Sequence, residues 1–243
     1  MKKVLLILAI ICLPIIKSCD KVTTEKFRSY VNTYYQFNDI KLSLSESGNI
    51  LIAGDDFECH YTWQSKGDFK KKYDELCELH NDMSFNKKMD YIAGTDWGHA
   101  LAPDFISIDV VSSADFDSEH PAGTSLNDIF YLISVSPQEY IKGGYNQLYD
   151  WSKGTPARFQ KAAYLEGFNG QTYGDRPYYH PIDKKLSEIT AEDMALMGVN
   201  SVYYYACLVF DSEPTLEKEH ELTVTVRTHD GKTLSHKITK VFE

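Results

Sequence analysis

The sequence predicts a mainly β protein, a β-sandwich with short helical insertions. Three observations carry that reading. Brief runs alternate apolar and polar residues at a period of two, as in Leu222, Val224 and Val226. Turn-forming residues separate the runs, most clearly His229-Asp230-Gly231-Lys232, and Asp-Gly between alternating runs is a strong hairpin signal. Helical periodicity is confined to a few short stretches, and strands spaced by turns favour sheet packed on sheet.

At the N-terminus, Lys2 and Lys3 precede an apolar run from Val4 to Leu13, extended past Pro14 by Ile15 and Ile16. A bilayer-spanning helix needs about 20 apolar residues, so this run has the length and flanks of a signal-peptide core. It ends in Ile16-Lys17-Ser18-Cys19, which resembles the lipobox of bacterial lipoproteins. That resemblance implies removal of residues 1–18, a diacylglycerol thioether on Cys19 and acylation of its new amine. The rival is an ordinary signal peptide with an incidental cysteine; Ile16 stands where such a cleavage site takes a small residue. Several acyl chains together give stable attachment. The implied location is the cell envelope, at the outer membrane, with the leaflet left open by Asp20. Cys12 falls in the removed segment.

Residues 19–29 are polar and without clear period, so they read as a lipidated tether ahead of a single β-rich domain over 30–243. Fully extended at roughly 3.3 Å per residue, a ten-residue tether reaches about 30 Å. Ile40–Leu44 alternates, Ser47-Gly48-Asn49 turns the chain, and Ile50–Ala53 follows as a strand. Phe57, Cys59, Tyr61 and Trp63 share one face of the next run. Asp68 to His80 is a helix with Asp68 as N-cap and Phe69, Tyr73, Leu76 and Leu79 or His80 as its apolar stripe. Phe105–Val111 and Ile129–Val135 read as central strands. Pro137 ends the second, and Gln138 to Trp151 reads as a helix weakened by Gly143-Gly144. Residues 152–181 are rich in glycine, proline and tyrosine, with a short strand at Lys161–Leu165. Thr190-Ala191-Glu192-Asp193 resembles a capping box opening a helix to Met197. Val202–Phe210 fits a buried strand, and Leu234–Phe242 returns from the C-terminal turn. Tyr205, two residues before Cys207, resembles the tyrosine corner of immunoglobulin-like sandwiches, which makes the predicted sandwich immunoglobulin-like; the antibody Cys…Trp spacing does not precede it.

The hydrophobic fraction, 43%, is that of a folded chain rather than a disordered one. Net charge is −10, and loss of Lys2, Lys3 and Lys17 with the signal takes it to −13. Phosphate backbones and anionic lipid repel such a domain, which argues against nucleic acid as a partner. Cys59, Cys77 and Cys207 remain in the mature chain besides Cys19. Export permits one pair to oxidise, and the odd number leaves at least one thiol. Cys207 sits in an apolar run and reads as buried; Cys59 with Cys77 is the candidate disulfide.

No HExxH, GxSxG, GxGxxG, Walker loop or CxxC occurs, which lowers the expectation of catalysis without closing it. Asp55, Asp56 and Glu58 read as a solvated turn. Between the two expected central strands, Asp115, Asp117 and Glu119 alternate with His120 next, so hard oxygen ligands could converge on a cation such as calcium. The EF-hand pattern fails, because His120 occupies its glycine position and Leu126 its final glutamate. The competing reading is an acidic loop whose Asp side chains bond their own backbone. No other cofactor is indicated. The stretch Ser112–Asp128 resembles the central motif of uncharacterised Bacteroides-type envelope lipoproteins, which implies a gut-bacterial envelope setting and transfers no catalytic residue.

The chain has 17 Tyr, 12 Phe and 3 Trp. Trp97, Trp151, Tyr173, Tyr178 and Tyr179 lie in weakly periodic segments, with Asp175 and Arg176 beside them. Exposed rings flanked by polar groups suit sugar recognition; the alternative is that the rings cover the core. His60, His80 and His99 have no partner at metal-ligand spacing and read as ordinary polar residues. Three functions follow as expectations: a non-catalytic binding module for glycan or an envelope protein, a metal-dependent hydrolase using the 115–120 loop, or a structural component of the envelope.

Overall fold

The computed structural model of the protein describes residues 23–61, 67–91, 98–153, 156–160, 177–199 and 204–243. The signal segment, Cys19, Trp63, Trp97, the strand expected at Lys161–Leu165, and Tyr173, Asp175 and Arg176 lie outside them.

The described chain is mainly β. Its strands are β1 (Thr23–Phe27), β2 (Thr33–Leu44), β3 (Ile50–Tyr61), β4 (Lys87–Tyr91), β5 (His99–Leu101), β6 (Phe105–Ser112), β7 (Phe130–Ser136), β8 (His180–Lys185), β9 (Tyr204–Phe210), β10 (Glu219–Thr228) and β11 (Thr233–Val241). Helices are short: α1 (Asp68–Leu79) and α2 (Gln138–Lys142), with one 3-10 turn at Ala157–Gln160. No described helix is long and apolar enough to cross a membrane.

The strands form a six-stranded sheet in the order β5-β2-β3-β9-β7-β8, a three-stranded sheet β11-β10-β6 and a ribbon β1-β4. The six-stranded sheet is buried on both faces. On one, Ile50, Ile52, Phe130, Leu132 and Leu208 meet Ile108, Val110, Leu222, Val224 and Val226 of the smaller sheet. On the other, Leu51, Ile133, Val135, Cys207 and Val209 pack under Tyr73, Leu76 and Cys77 of α1 and a cluster of loop aromatics. Neighbouring residues of one strand therefore serve different cores, as a period of two requires. Tyr205 and Ala206 break the alternation and both enter the sandwich core, because the β3–β9 register shifts beside them. At one margin the sheets are tied together: Lys232 Nζ donates to Asn38 Oδ1 at 3.0 Å and His236 Nε2 bonds Asp39 Oδ1 at 2.8 Å.

Several expectations change. Residues 23–27 pair with 87–91, and Phe27 and Ser29 are buried, so most of the expected tether belongs to the fold. β7 is interior, but β6 is an edge of the smaller sheet rather than a central strand. Within the 57–61 part of β3 the buried residue is His60, opposite the face of Phe57 and Cys59. The helix at 68–79 forms, yet Gly67 rather than Asp68 occupies the N-cap. Its buried stripe is Tyr73, Leu76 and Cys77, while Phe69 and Leu79 at the two ends are largely exposed. The expected helix over 138–151 stops at Lys142, because Gly144 turns the chain with φ +65°. Thr190 and Asp193 exchange the capping-box hydrogen bonds, but turns follow instead of a helix. The Tyr205 hydroxyl bonds Ala53 O across the sheet at 3.4 Å, whereas a tyrosine corner bonds a few residues upstream on its own chain. Cys59 and Cys77 are not joined by a disulfide; Cys77 instead packs its thiol into the layer between α1 and the sheet.

Candidate functional site

The aromatic residues singled out by sequence mostly build core. Trp151 and Tyr179 are buried, and Tyr178 is half-buried. Tyr178 rests on Tyr30 and Tyr140 with ring centroids 5.6 and 5.0 Å apart. Trp151 sits between Tyr149 and Phe159 at 4.7 and 5.7 Å. The Tyr179 hydroxyl accepts from His99 N–H and donates to His99 O, both at 3.0 Å, closing the outer edge of β5. Burial of Trp151 and Tyr179 leaves neither ring a flat face for a sugar, contrary to the stacking role expected of them.

The acidic loop is also turned on itself. Asp115 Oδ1 accepts Ala122 N–H at 2.7 Å, and Asp117 Oδ1 accepts Glu119 and His120 N–H at 2.8 and 2.9 Å. His120 bridges Asp117 and Asp128 through its two ring nitrogens, at 2.8 and 3.1 Å. Burial opposes the charged ring, and the two carboxylates outweigh it, so the His120 pKa is raised. Among the described residues no group of three or more His, Cys, Asp or Glu gathers as a metal site. Asp115 and Asp117 each accept from a different stretch of loop backbone, as the competing acidic-loop reading expects. Asp55, Asp56 and Glu58 lie within β3 rather than in the expected turn, and Asp55 pairs with Lys41 of β2 at 2.8 Å.

What the described fold offers is a cleft of about 400 Å³ beside β8, the free edge of the six-stranded sheet. Pro156, Pro181 and Ile182 give it apolar surface, and Gln138, Glu139, His180, Asp183, Lys184, Glu192 and Asp193 give it polar groups. β8 directly follows the glycine- and tyrosine-rich segment, but none of the residues expected to bind lines the cleft among the described residues. Its walls are held by ion pairs and hydrogen bonds. Lys184 pairs with Asp193, whose carboxylate also accepts the Thr190 N–H and hydroxyl at 2.9 and 2.8 Å. Burial raises the Asp193 carboxyl, but Lys184 and Thr190 outweigh it and hold it below the ordinary range. For Asp183 burial dominates and raises the carboxyl against the pull of Arg158, 3.3 Å away. The Arg158 guanidinium lies flat on Tyr131, 3.5 Å from the ring centroid.

Hydrogen bonds already made limit the chemistry. Ser136 Oγ donates to Ala195 O at 2.7 Å and accepts Gln138 N–H at 3.1 Å, so its proton is engaged by a carbonyl rather than a base. His180 Nε2 bonds Gln147 O at 3.0 Å. A nucleophile activated by a base requires the two within hydrogen-bond reach, and the described lining of this cleft has no such pair. Donors and acceptors line the cleft together with apolar surface, a combination suited to recognition. Sequence reasoning missed Gln138, Glu192 and Lys184 as lining residues. The local trace of Glu192 is the Thr190–Asp193 capping pattern, which predicts a helix start rather than a cleft wall.

Compared with protein-family models, curated proteins and solved structures, the chain matches none.

Proposed function

We propose that this protein is a lipid-anchored cell-envelope binding module, without catalysis, that takes a hydroxyl-rich glycan or a segment of an envelope protein in the β8 cleft. The observation that carries the reading is the cleft itself: polar groups fixed by ion pairs around apolar surface, with the Ser136 hydroxyl of its described lining committed to a carbonyl. The lipobox-like Ile16-Lys17-Ser18-Cys19 supports an acyl anchor at Cys19 in the outer membrane. The resemblance of Ser112–Asp128 to Bacteroides-type envelope lipoproteins supports the same setting.

Two measurements test it. Metabolic labelling with a tagged palmitate should mark the protein and lose the mark in Cys19→Ser; labelling unchanged by that substitution rejects the anchor. Residues 20–243, which include every described residue, should bind members of a glycan array or retain an envelope protein. That binding should fall in Gln138→Ala and Glu192→Ala, which touch the cleft but not the core. Binding unaffected by both variants places recognition elsewhere and rejects the cleft.

A further inference from the structure

A second pocket, of about 290 Å³, lies between the β1–Tyr30 segment and α1. Volumes of this order are at the small end for ligand sites and suit a headgroup-sized molecule. Lys26, Arg28 and Lys70 stand around it, with Asp74 and Asp82 as its acidic members. The two acids are accounted for. Lys70 Nζ holds both oxygens of Asp74. Asp82 is turned inward, accepting Tyr30 and Val31 N–H at 2.8 and 2.7 Å and the Tyr145 hydroxyl at 2.9 Å.

Lys26 and Arg28 are left exposed, with no carboxylate paired to either among the described residues. Arg28 Nη2 reaches only the Met83 sulfur, at 3.4 Å. Lys26 also stands opposite Lys88 across the β1–β4 ladder, and like charges directly opposite repel unless an anion intervenes. In a chain of net charge −10, this is a local excess of the other sign at the mouth of a pocket, where low-dielectric walls concentrate the field.

We propose that the β1–α1 pocket binds a phosphate-type oxyanion through Lys26 and Arg28, with Lys70 at its wall. Arginine and lysine contacts to phosphate are charge-assisted and among the stronger hydrogen bonds. The anion is either a free phosphate or the phosphodiester of a lipid headgroup. The headgroup source rests on the anchor proposed at Cys19: β1 begins at Thr23, so the pocket would lie close to the acyl chains. The oxyanion site itself does not depend on the anchor.

The test uses residues 20–243 at low salt, with inorganic phosphate followed by calorimetry and flotation on phosphatidylcholine vesicles with and without phosphatidylglycerol. The wild-type chain should bind phosphate saturably, and Lys26→Ala/Arg28→Ala should weaken binding about tenfold or more. Flotation only with phosphatidylglycerol, competed by phosphate, identifies the headgroup source; phosphate binding without flotation identifies the free anion. No saturable binding of either by the wild type overturns the site, and this arm needs no variant to fold. Equal binding by a double variant with native circular dichroism overturns it too. A missing palmitate label at Cys19 would remove the anchor and leave the phosphate titration intact.

Discussion

The Tyr145 hydroxyl donates to Asp82 Oδ1 at 2.9 Å, onto the same oxygen that receives Tyr30 N–H at 2.8 Å. Asp82 is fully buried, and its other oxygen takes Val31 N–H at 2.7 Å. One carboxylate therefore joins the loop after α1, the chain entering β2 and the turn after α2. Asp82→Ala would leave two buried N–H groups without acceptors, at about 2–5 kcal/mol. Tyr145→Phe should cost about 1 kcal/mol. Urea unfolding measures both; an Asp82→Ala midpoint equal to wild type would contradict the assignment. Burial raises the Asp82 pKa above 3.8. Its contribution is therefore fully present below pH 3.8 and is lost as pH rises through the folded value. Asp82→Asn should remove that slope.

The histidines should titrate in a definite order. Burial lowers His60 and His80 below 6.5, while Asp117 and Asp128 outweigh burial and raise His120 above it. His60 and His80 thus stabilise the fold above pH 6.5, and that stability is lost as pH falls through their folded values. His120 acts oppositely, stabilising below 6.5 and losing its effect as pH rises through its own folded value. Imidazole proton shifts followed by NMR resolve the three midpoints, and a His120 midpoint below those of the other two would refute the Asp117–His120–Asp128 bridge.

Gly54 and Phe37 form a second coupled pair. A Cβ on Gly54 would fall 1.8 Å from a Phe37 ring carbon, and Phe37 in turn packs on Tyr205 with centroids 5.3 Å apart. Gly54→Ala should destabilise by about 1–3 kcal/mol through overpacking. In a Phe37→Ala background the same change should cost far less, and a double-mutant cycle reads the difference. Simple additivity would show that the ring can move aside.

Thiol chemistry should be slow in the native state. Burial pushes Cys77 up to about 11 and Cys207 up to about 12, and the thiolate is the reactive form. Iodoacetamide at pH 8 should leave both unmodified until denaturant is added. Rapid native alkylation of either, located by mass spectrometry, would contradict the packing of α1 or of β9.

Much of the strand pattern was legible, because a period of two survives wherever one face is buried and the other is wet: β10 and β11 pair across Asp230-Gly231 as the alternation requires. Layer order was not. Leu51 and Ile52 are both buried, yet they serve opposite cores, and a continuous apolar run does not say which neighbour takes which face. β1 escaped notice because five residues paired only to β4 carry too little apolar signal. The aromatic segment was legible as unusual, but a ring covering a core and a ring awaiting a ligand have the same composition. Trp151 and Tyr179 differ from binding-site rings only in what surrounds them. The cleft residues Gln138, Lys184 and Glu192 come from three distant segments, and no local spacing unites them.

The place of β9 constrains the order in which the molecule can assemble. It lies between β3 and β7, so the sheet consists of two incomplete halves until residues 204–210 arrive. During synthesis the β2–β3 hairpin and the β7 strand emerge first, each with an open, apolar edge of the kind that recruits stray strands. The keystone is delivered late, and the hairpin that caps its inner face, β10–β11, later still. Completion of the sheet thus waits for β9, and shielding those two edges during the interval becomes the cell's task rather than the sequence's.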